Sequence, residues 1–123
     1  RHALMHGPTF MGNALACAVA LKGIEIFERE NYMGKIKRIE EISHREMDGF
    51  TDQRIKEVRV MGGCTCVEVY DGATLEGFQQ FAYERGVFCR PFLKYMYSMV
   101  PYIIEEDELV QIFDVMKEWF RRG

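Results

Sequence analysis

Residues 55–70 read IKEVRVMGGCTCVEVY, a sequence that predicts a β-hairpin at the centre of the fold. Ile55–Met61 and Cys64–Tyr70 are rich in β-branched side chains, which favour extended strands. Gly62 and Gly63 lie between them as a two-residue turn of the kind that joins antiparallel strands. We therefore expect a hairpin near the middle of the chain, with helices before and after it.

Two helices are predicted upstream of the hairpin. Asn13 is suited to cap a helix over residues 14–30, whose first half is so apolar that we expect it to be buried on more than one side. After a break at residues 31–34, an apolar period of 3.6 predicts a second helix that ends at Gly49.

Downstream of the hairpin, helices are predicted over residues 74–85, with Thr74 as the N-cap, and over residues 105–122. Residues 87–90 predict a short strand, and residues 97–104 an extended, aromatic-rich stretch. This order of elements predicts an α/β fold of the α+β type, in which helices cover a small sheet.

The composition is that of an ordinary globular domain, since 48% of the 123 residues are hydrophobic and 28% are charged. A formal net charge of −3 gives no attraction to nucleic acid or to an anionic membrane. The longest apolar run, Ala14–Leu21, is far shorter than the roughly 20 residues of a membrane-spanning helix. We therefore expect neither nucleic acid nor a membrane as a partner.

The cysteines and histidines predict no metal site. Cys64 and Cys66 alternate onto one face of a predicted strand, where small buried hydrophobic residues are commoner than zinc ligands. His2, His6 and His44 lack metal-ligand spacing. Because the chain is not a cysteine-dense secreted scaffold, we expect reduced thiols in a cytoplasmic protein.

Residues 6–13, which read HGPTFMGN, are a candidate phosphate site. Gly7 permits close approach of the backbone to a ligand, and Thr9 offers a hydroxyl beside its own N–H. A tight turn that leads into a helix explains the same residues, and their spacing alone favours the turn.

Arg90 directly precedes Pro91 and is a candidate carboxylate ligand, because a guanidinium matches both oxygens of a carboxylate. A solvated or salt-bridged side chain at a strand end is the plainer alternative. Tyr95, Tyr97 and Tyr102 form a dense cluster nearby, of which one is a candidate to line a pocket while the others pack with hydroxyls at the rim.

Taken together, these strings resemble the class III aminotransferases, and within them the transaminases of biotin synthesis. The residues that resemble the family are 6–13 (HGPTFMGN), 15–18 (LACA), 90–92 (RPF) with Tyr97, and 101–104 (PYII). It covers essentially the whole chain. It implies the C-terminal domain of a fold-type I pyridoxal-phosphate-dependent transferase, with an inter-domain active-site segment over residues 1–12 and a small domain over residues 13–123.

The resemblance also implies an activity and site residues. The activity is amino transfer from S-adenosylmethionine to 8-amino-7-oxononanoate, in a homodimer with shared active sites. Gly7 would contact substrate, Pro8 and Thr9 would bind the phosphate of pyridoxal 5′-phosphate, and Arg90 would hold the substrate carboxylate with Tyr97 close by. Two positions depart from the family pattern: Ala14 and Tyr102 stand where proline is usual.

The chain opens at Arg1 directly on the motif, so we expect a C-terminal piece of a longer protein. The resemblance places the Schiff-base lysine upstream, which implies no catalytic residue here and an inactive fragment. An apolar face along residues 14–21 would then be exposed and would favour self-association. The alternatives are another class III transaminase, acting on an ω-amino acid such as ornithine or 4-aminobutyrate, or a non-catalytic α/β interaction domain.

Overall fold

The computed structural model describes residues 6–122, which divide into two compact units. The first unit ends at Met33 and the second begins at Gly34. Part of the predicted segment over residues 1–12 lies outside the described residues, and the division of the chain after residue 12 stays a prediction.

In the first unit, a turn leads into helix α1 (Ala14–Arg29). The side chain of Asn13 accepts a hydrogen bond from the backbone N–H of Ala16 at 2.8 Å, which satisfies a donor that the first helical turn leaves free. The predicted cap and the predicted helix are both confirmed.

Helix α1 has no buried residue, so the prediction that its first half is buried on more than one side is wrong for this chain. Leu15 is 75% exposed and Val19 is 65% exposed. Apolar composition predicts a preference for burial, but it does not supply the covering surface. The expectation of an exposed apolar stretch over residues 14–21 is confirmed.

None of the helices within residues 6–122 is long and apolar enough to cross a membrane.

Helix α2 (Tyr32–Met47) follows Asn31, whose φ of 50° turns the chain between the two helices. The break is therefore shorter than the predicted residues 31–34, whereas the predicted stop at Gly49 is confirmed by its φ of 78°. The remaining elements of the described chain are strands β1 (Ile55–Met61), β2 (Cys64–Val69) and β3 (Tyr95–Met99), a 3-10 turn (Gly72–Leu75), and helices α3 (Phe78–Tyr83) and α4 (Glu106–Arg121).

The three strands form an antiparallel sheet in the order β1-β2-β3, which confirms the predicted hairpin. Side chains alternate between its two faces. On one face Val67 and Met96 lie opposite each other and are fully buried. On the other face Met61 and Met99 are 78% and 75% exposed.

The buried face of the sheet packs against the helices of the second unit. Met47 of α2, Phe78 of α3 and Phe113 of α4 are fully buried in one core with Val67 and Met96. The predicted α/β fold of the α+β type, with helices over a small sheet, is confirmed.

The helix predicted over residues 74–85 is wrong in its first half. Asp71, rather than Thr74, provides the cap, because its carboxylate accepts a backbone hydrogen bond at 3.0 Å and starts the 3-10 turn. Gly77 then has a φ of 83°, a left-handed conformation that glycine adopts without strain and that separates this turn from α3.

The strand predicted over residues 87–90 is also wrong. The segment alternates buried and exposed side chains as a strand would, but no strand forms there in the described chain. Instead, the thiol of Cys89 donates a hydrogen bond to the carbonyl oxygen of Tyr97 at 3.1 Å. The extended stretch predicted over residues 97–104 is shifted, because β3 begins at Tyr95 and ends at Met99.

Candidate functional site

Arg90 and Tyr97 lie on the two arms of a tight turn that leads into β3. Phe92 and Tyr95 exchange both backbone hydrogen bonds, at 2.8 and 2.9 Å, and so close the turn. Within it, Leu93 has a φ of 53°, which is uncommon for a residue with a side chain. A hydrogen bond from the Cys89 thiol to the carbonyl oxygen of Tyr97 holds the arm that carries Arg90 beside β3.

Three contacts hold this turn in place. A Cβ atom at Gly72 would lie 2.9 Å from the carbonyl oxygen of Leu93, so only glycine permits the approach. The backbone N–H of Val69 donates to the carbonyl oxygen of Lys94 at 2.9 Å. The Nζ atom of Lys94 lies 3.4 Å from a carboxylate oxygen of Glu68. The position of Arg90 is therefore set by the sheet and by the preceding 3-10 turn.

Arg90 and Tyr97 line one depression of about 340 Å³, together with Phe88, Cys89 and Met99. The guanidinium of Arg90 is exposed, and no carboxylate within residues 6–122 pairs with it. Such a group presents parallel N–H donors that suit the two oxygens of a carboxylate. Two of the predicted site residues are thus brought together, in an arrangement that can bind an organic acid.

Cys89 fixes the arm that carries Arg90 against β3. Its side chain is buried, and burial raises the pKa of the thiol to about 11. The thiol is therefore neutral at physiological pH and serves as a hydrogen-bond donor to Tyr97 rather than as a nucleophile.

Glu68 binds three cations beside the turn, on the exposed face of the sheet. Its carboxylate oxygens lie 2.8 Å from Lys56, 3.2 Å from Arg59 and 3.4 Å from Lys94. The hydrogen bond from Lys56, more than any other contact, lowers the pKa of Glu68. No sequence motif marks this cluster, because its four charges come from three separate segments that only the folded sheet brings together.

Gly7, Pro8 and Thr9, the other predicted site residues, are consecutive and exposed in the first unit. The N–H of Met11 donates to the carbonyl oxygen of Pro8 at 3.1 Å, which closes a turn with Thr9 and Phe10 at its centre. Within the described residues, the N–H groups of Thr9 and Phe10 donate to no backbone carbonyl. A Cβ atom at Gly7 would meet nothing within 4 Å. The turn therefore offers backbone donors and a hydroxyl to an anion.

A larger depression, of about 540 Å³, lies at the Gly62-Gly63 end of the hairpin. No charged side chain lines it, so it offers no ionic partner to a charged ligand. In the part of the chain that the structure describes, no group of three or more His, Cys, Asp or Glu side chains is placed to hold a metal ion. The four cysteines are free thiols.

A family model and the curated relatives both indicate class III aminotransferases. Residues 1–120 match the family model for class-III aminotransferases. A relative from Saccharomyces cerevisiae, named adenosylmethionine-8-amino-7-oxononanoate aminotransferase, is 38% identical over 94% of this chain and 26% of its own length. A relative of the same name from Corynebacterium glutamicum is 38% identical over 89% of this chain and 26% of its own length.

The fold agrees with a solved structure of an enzyme of that name. The adenosylmethionine-8-amino-7-oxononanoate aminotransferase of Methanocaldococcus jannaschii is 26% identical, with a TM-score of 0.79 over 98% of this chain and 30% of that protein. The chain thus spans about a quarter of the length of the curated relatives that it matches.

Proposed function

Because the chain belongs to the class III aminotransferase family, we propose that it forms the C-terminal part of a cytoplasmic enzyme of biotin synthesis. This enzyme transfers an amino group from S-adenosylmethionine to 8-amino-7-oxononanoate and yields 7,8-diaminononanoate. The names of the relatives support this choice of substrates. Family membership argues against the alternative of a non-catalytic interaction domain.

The observation that carries the proposal is the arrangement of Arg90 and Tyr97 in one depression. The acceptor, 8-amino-7-oxononanoate, has its carboxylate at the end of the chain away from the carbons that react. Arg90 binds this carboxylate through two parallel hydrogen bonds, and Tyr97 lies beside it. These residues orient the acceptor and take no part in bond making.

The family implies pyridoxal 5′-phosphate, which when bound supplies the carbonyl carbon that carries the amino group from donor to acceptor. The turn at Pro8 and Thr9 fits the phosphate of this cofactor, because it presents backbone N–H groups and the Thr9 hydroxyl on an exposed turn. Gly7, which has no neighbour within 4 Å of a Cβ position, leaves room for substrate beside the phosphate.

The enzyme is proposed to act as a homodimer with shared active sites, in which Pro8 and Thr9 hold the cofactor phosphate of the other subunit. The exposed apolar side chains of α1 support assembly with further protein surface, since large exposed apolar patches mark interaction sites. The covalent chemistry belongs to residues outside this chain, so the chain alone binds without reacting.

Amino transfer by the purified full-length enzyme tests the choice of donor. With 8-amino-7-oxononanoate as acceptor, S-adenosylmethionine is expected to support formation of 7,8-diaminononanoate, measured by mass spectrometry. Ornithine and 4-aminobutyrate are expected to support little or none. Good turnover with ornithine and none with S-adenosylmethionine would place the enzyme among the ω-amino acid transaminases instead.

A further inference from the structure

We propose that Phe88 and Met99 extend the Arg90 site with an apolar wall that selects carboxylates carried on a long, unbranched aliphatic chain. The inference rests on the proposed function, because it assumes that Arg90 binds the acceptor carboxylate. It assigns chain-length specificity to two residues that contact neither the carboxylate nor the reacting atoms.

Phe88 and Met99 line the same depression as Arg90 and Tyr97. Phe88 and Arg90 are both exposed and flank the buried Cys89, so their side chains project to the same side of this segment. The depression therefore combines one charged group, at Arg90, with apolar side chains at Phe88 and Met99.

The apolar side chains of this depression are exposed within residues 6–122. Phe88 is 80% exposed and Met99 is 75% exposed, although both line a concave surface. Arg90 is the only charged residue among the five that line the depression. Cys89, which lies between Phe88 and Arg90, is a neutral thiol that already bonds to Tyr97.

A ligand that matches this polarity has a carboxylate at one end and methylene groups next to it. The chain of 8-amino-7-oxononanoate has this form, because methylene groups separate its carboxylate from its oxo group. The amino acids 4-aminobutyrate and ornithine carry an ammonium group only a few atoms from the carboxylate. Placing that ammonium against Phe88 and Met99 would remove it from water without a partner, which is unfavourable.

Chain length gives the inference a measurable signature. Burying one methylene group fully against apolar side chains strengthens binding about fourfold. Partial burial between Phe88 and Met99 is expected to increase the affinity about twofold to threefold for each methylene. The increase should stop once the aliphatic chain extends past these two side chains.

The experiment uses unbranched saturated monocarboxylates, from propionate to nonanoate, as competitive inhibitors of the full-length enzyme against 8-amino-7-oxononanoate. In the wild type, the inhibition constant is expected to fall about twofold to threefold with each added methylene. In the double variant Phe88→Ser with Met99→Ser, this dependence should nearly vanish while propionate binds as before. The conservative pair Phe88→Leu with Met99→Leu should restore it.

Met61→Ser is the matched control, since Met61 is equally exposed on the same sheet face but does not line this depression. Its chain-length dependence should equal that of the wild type. A serine double variant with an unchanged chain-length dependence would overturn the inference. Loss of subunit assembly in that variant would also overturn it, because Phe88 and Met99 would then cover protein rather than substrate. The Arg90→Ala variant distinguishes failure of this inference from failure of the proposed function. If that variant binds every acid with wild-type affinity, the proposed function itself is overturned.

Discussion

Replacing Arg90 by alanine in the full-length enzyme is expected to raise the KM for 8-amino-7-oxononanoate about 100-fold, because hydrogen bonds to a charged group each contribute about 1.5–3 kcal/mol. Losing both bonds of a bidentate pair corresponds to about 3 kcal/mol, and every 1.4 kcal/mol is about tenfold. Steady-state kinetics with the acceptor varied at saturating donor measures the effect.

Arg90→Lys and Arg121→Ala are the controls for this prediction. The lysine keeps the charge but cannot present two parallel donors, so its KM is expected to lie between those of the wild type and the alanine variant. Arg121 is exposed in the last turn of α4, outside the depression, and its replacement should leave KM unchanged. An Arg90→Ala enzyme with wild-type KM would contradict the carboxylate role.

Replacing Phe113 by alanine is expected to lower the free energy of unfolding of the chain by about 3–5 kcal/mol. Phe113 is fully buried, and it packs in the core that joins α4 to the sheet. The substitution removes buried apolar surface and leaves a cavity that the neighbouring side chains fill only in part. Because domains are stable by only about 5–15 kcal/mol, much of the stability would be lost.

Phe88→Ala makes the same chemical change at a residue that is 80% exposed. Its effect on unfolding is expected to stay within about 0.5 kcal/mol. Urea titration followed by circular dichroism compares the two variants with the wild type. Equal losses at the two positions would contradict the placement of Phe113 in the core.

Much of the fold can be predicted from the sequence, because local signals determine several of its elements. The Gly62-Gly63 turn between β-branched stretches predicts the hairpin, and Asn13 and Gly49 mark helix ends through their side-chain and backbone preferences. These features depend on residues close together in the chain, so a single sequence contains the information.

The wrong predictions concern elements whose structure depends on contacts with distant residues or on competition between two capping residues. Thr74 is a good cap, but Asp71 competes for the same role three residues earlier. Residues 87–90 have the alternation of a strand, yet the Cys89 thiol contacts the carbonyl of Tyr97 in place of a strand ladder. The apolar first half of α1 predicts burial, but a helix pattern does not reveal which surface would cover it.

The candidate site was predictable only in part. Arg90 and Tyr97 are recognised by resemblance, and the structure places both at one depression. Phe88 and Met99 were not predicted as site residues, because exposed apolar residues are common and no motif contains these two. Their position in the depression that also contains Arg90 identifies them.

The position of the acceptor carboxylate is the most direct test of the proposed role of this chain. A crystal structure of the full-length enzyme with bound 8-amino-7-oxononanoate measures it. The expected result is that both carboxylate oxygens lie within hydrogen-bond distance of the Arg90 guanidinium, with the methylene chain against Phe88 and Met99. A carboxylate bound elsewhere, with Arg90 facing solvent, would contradict it.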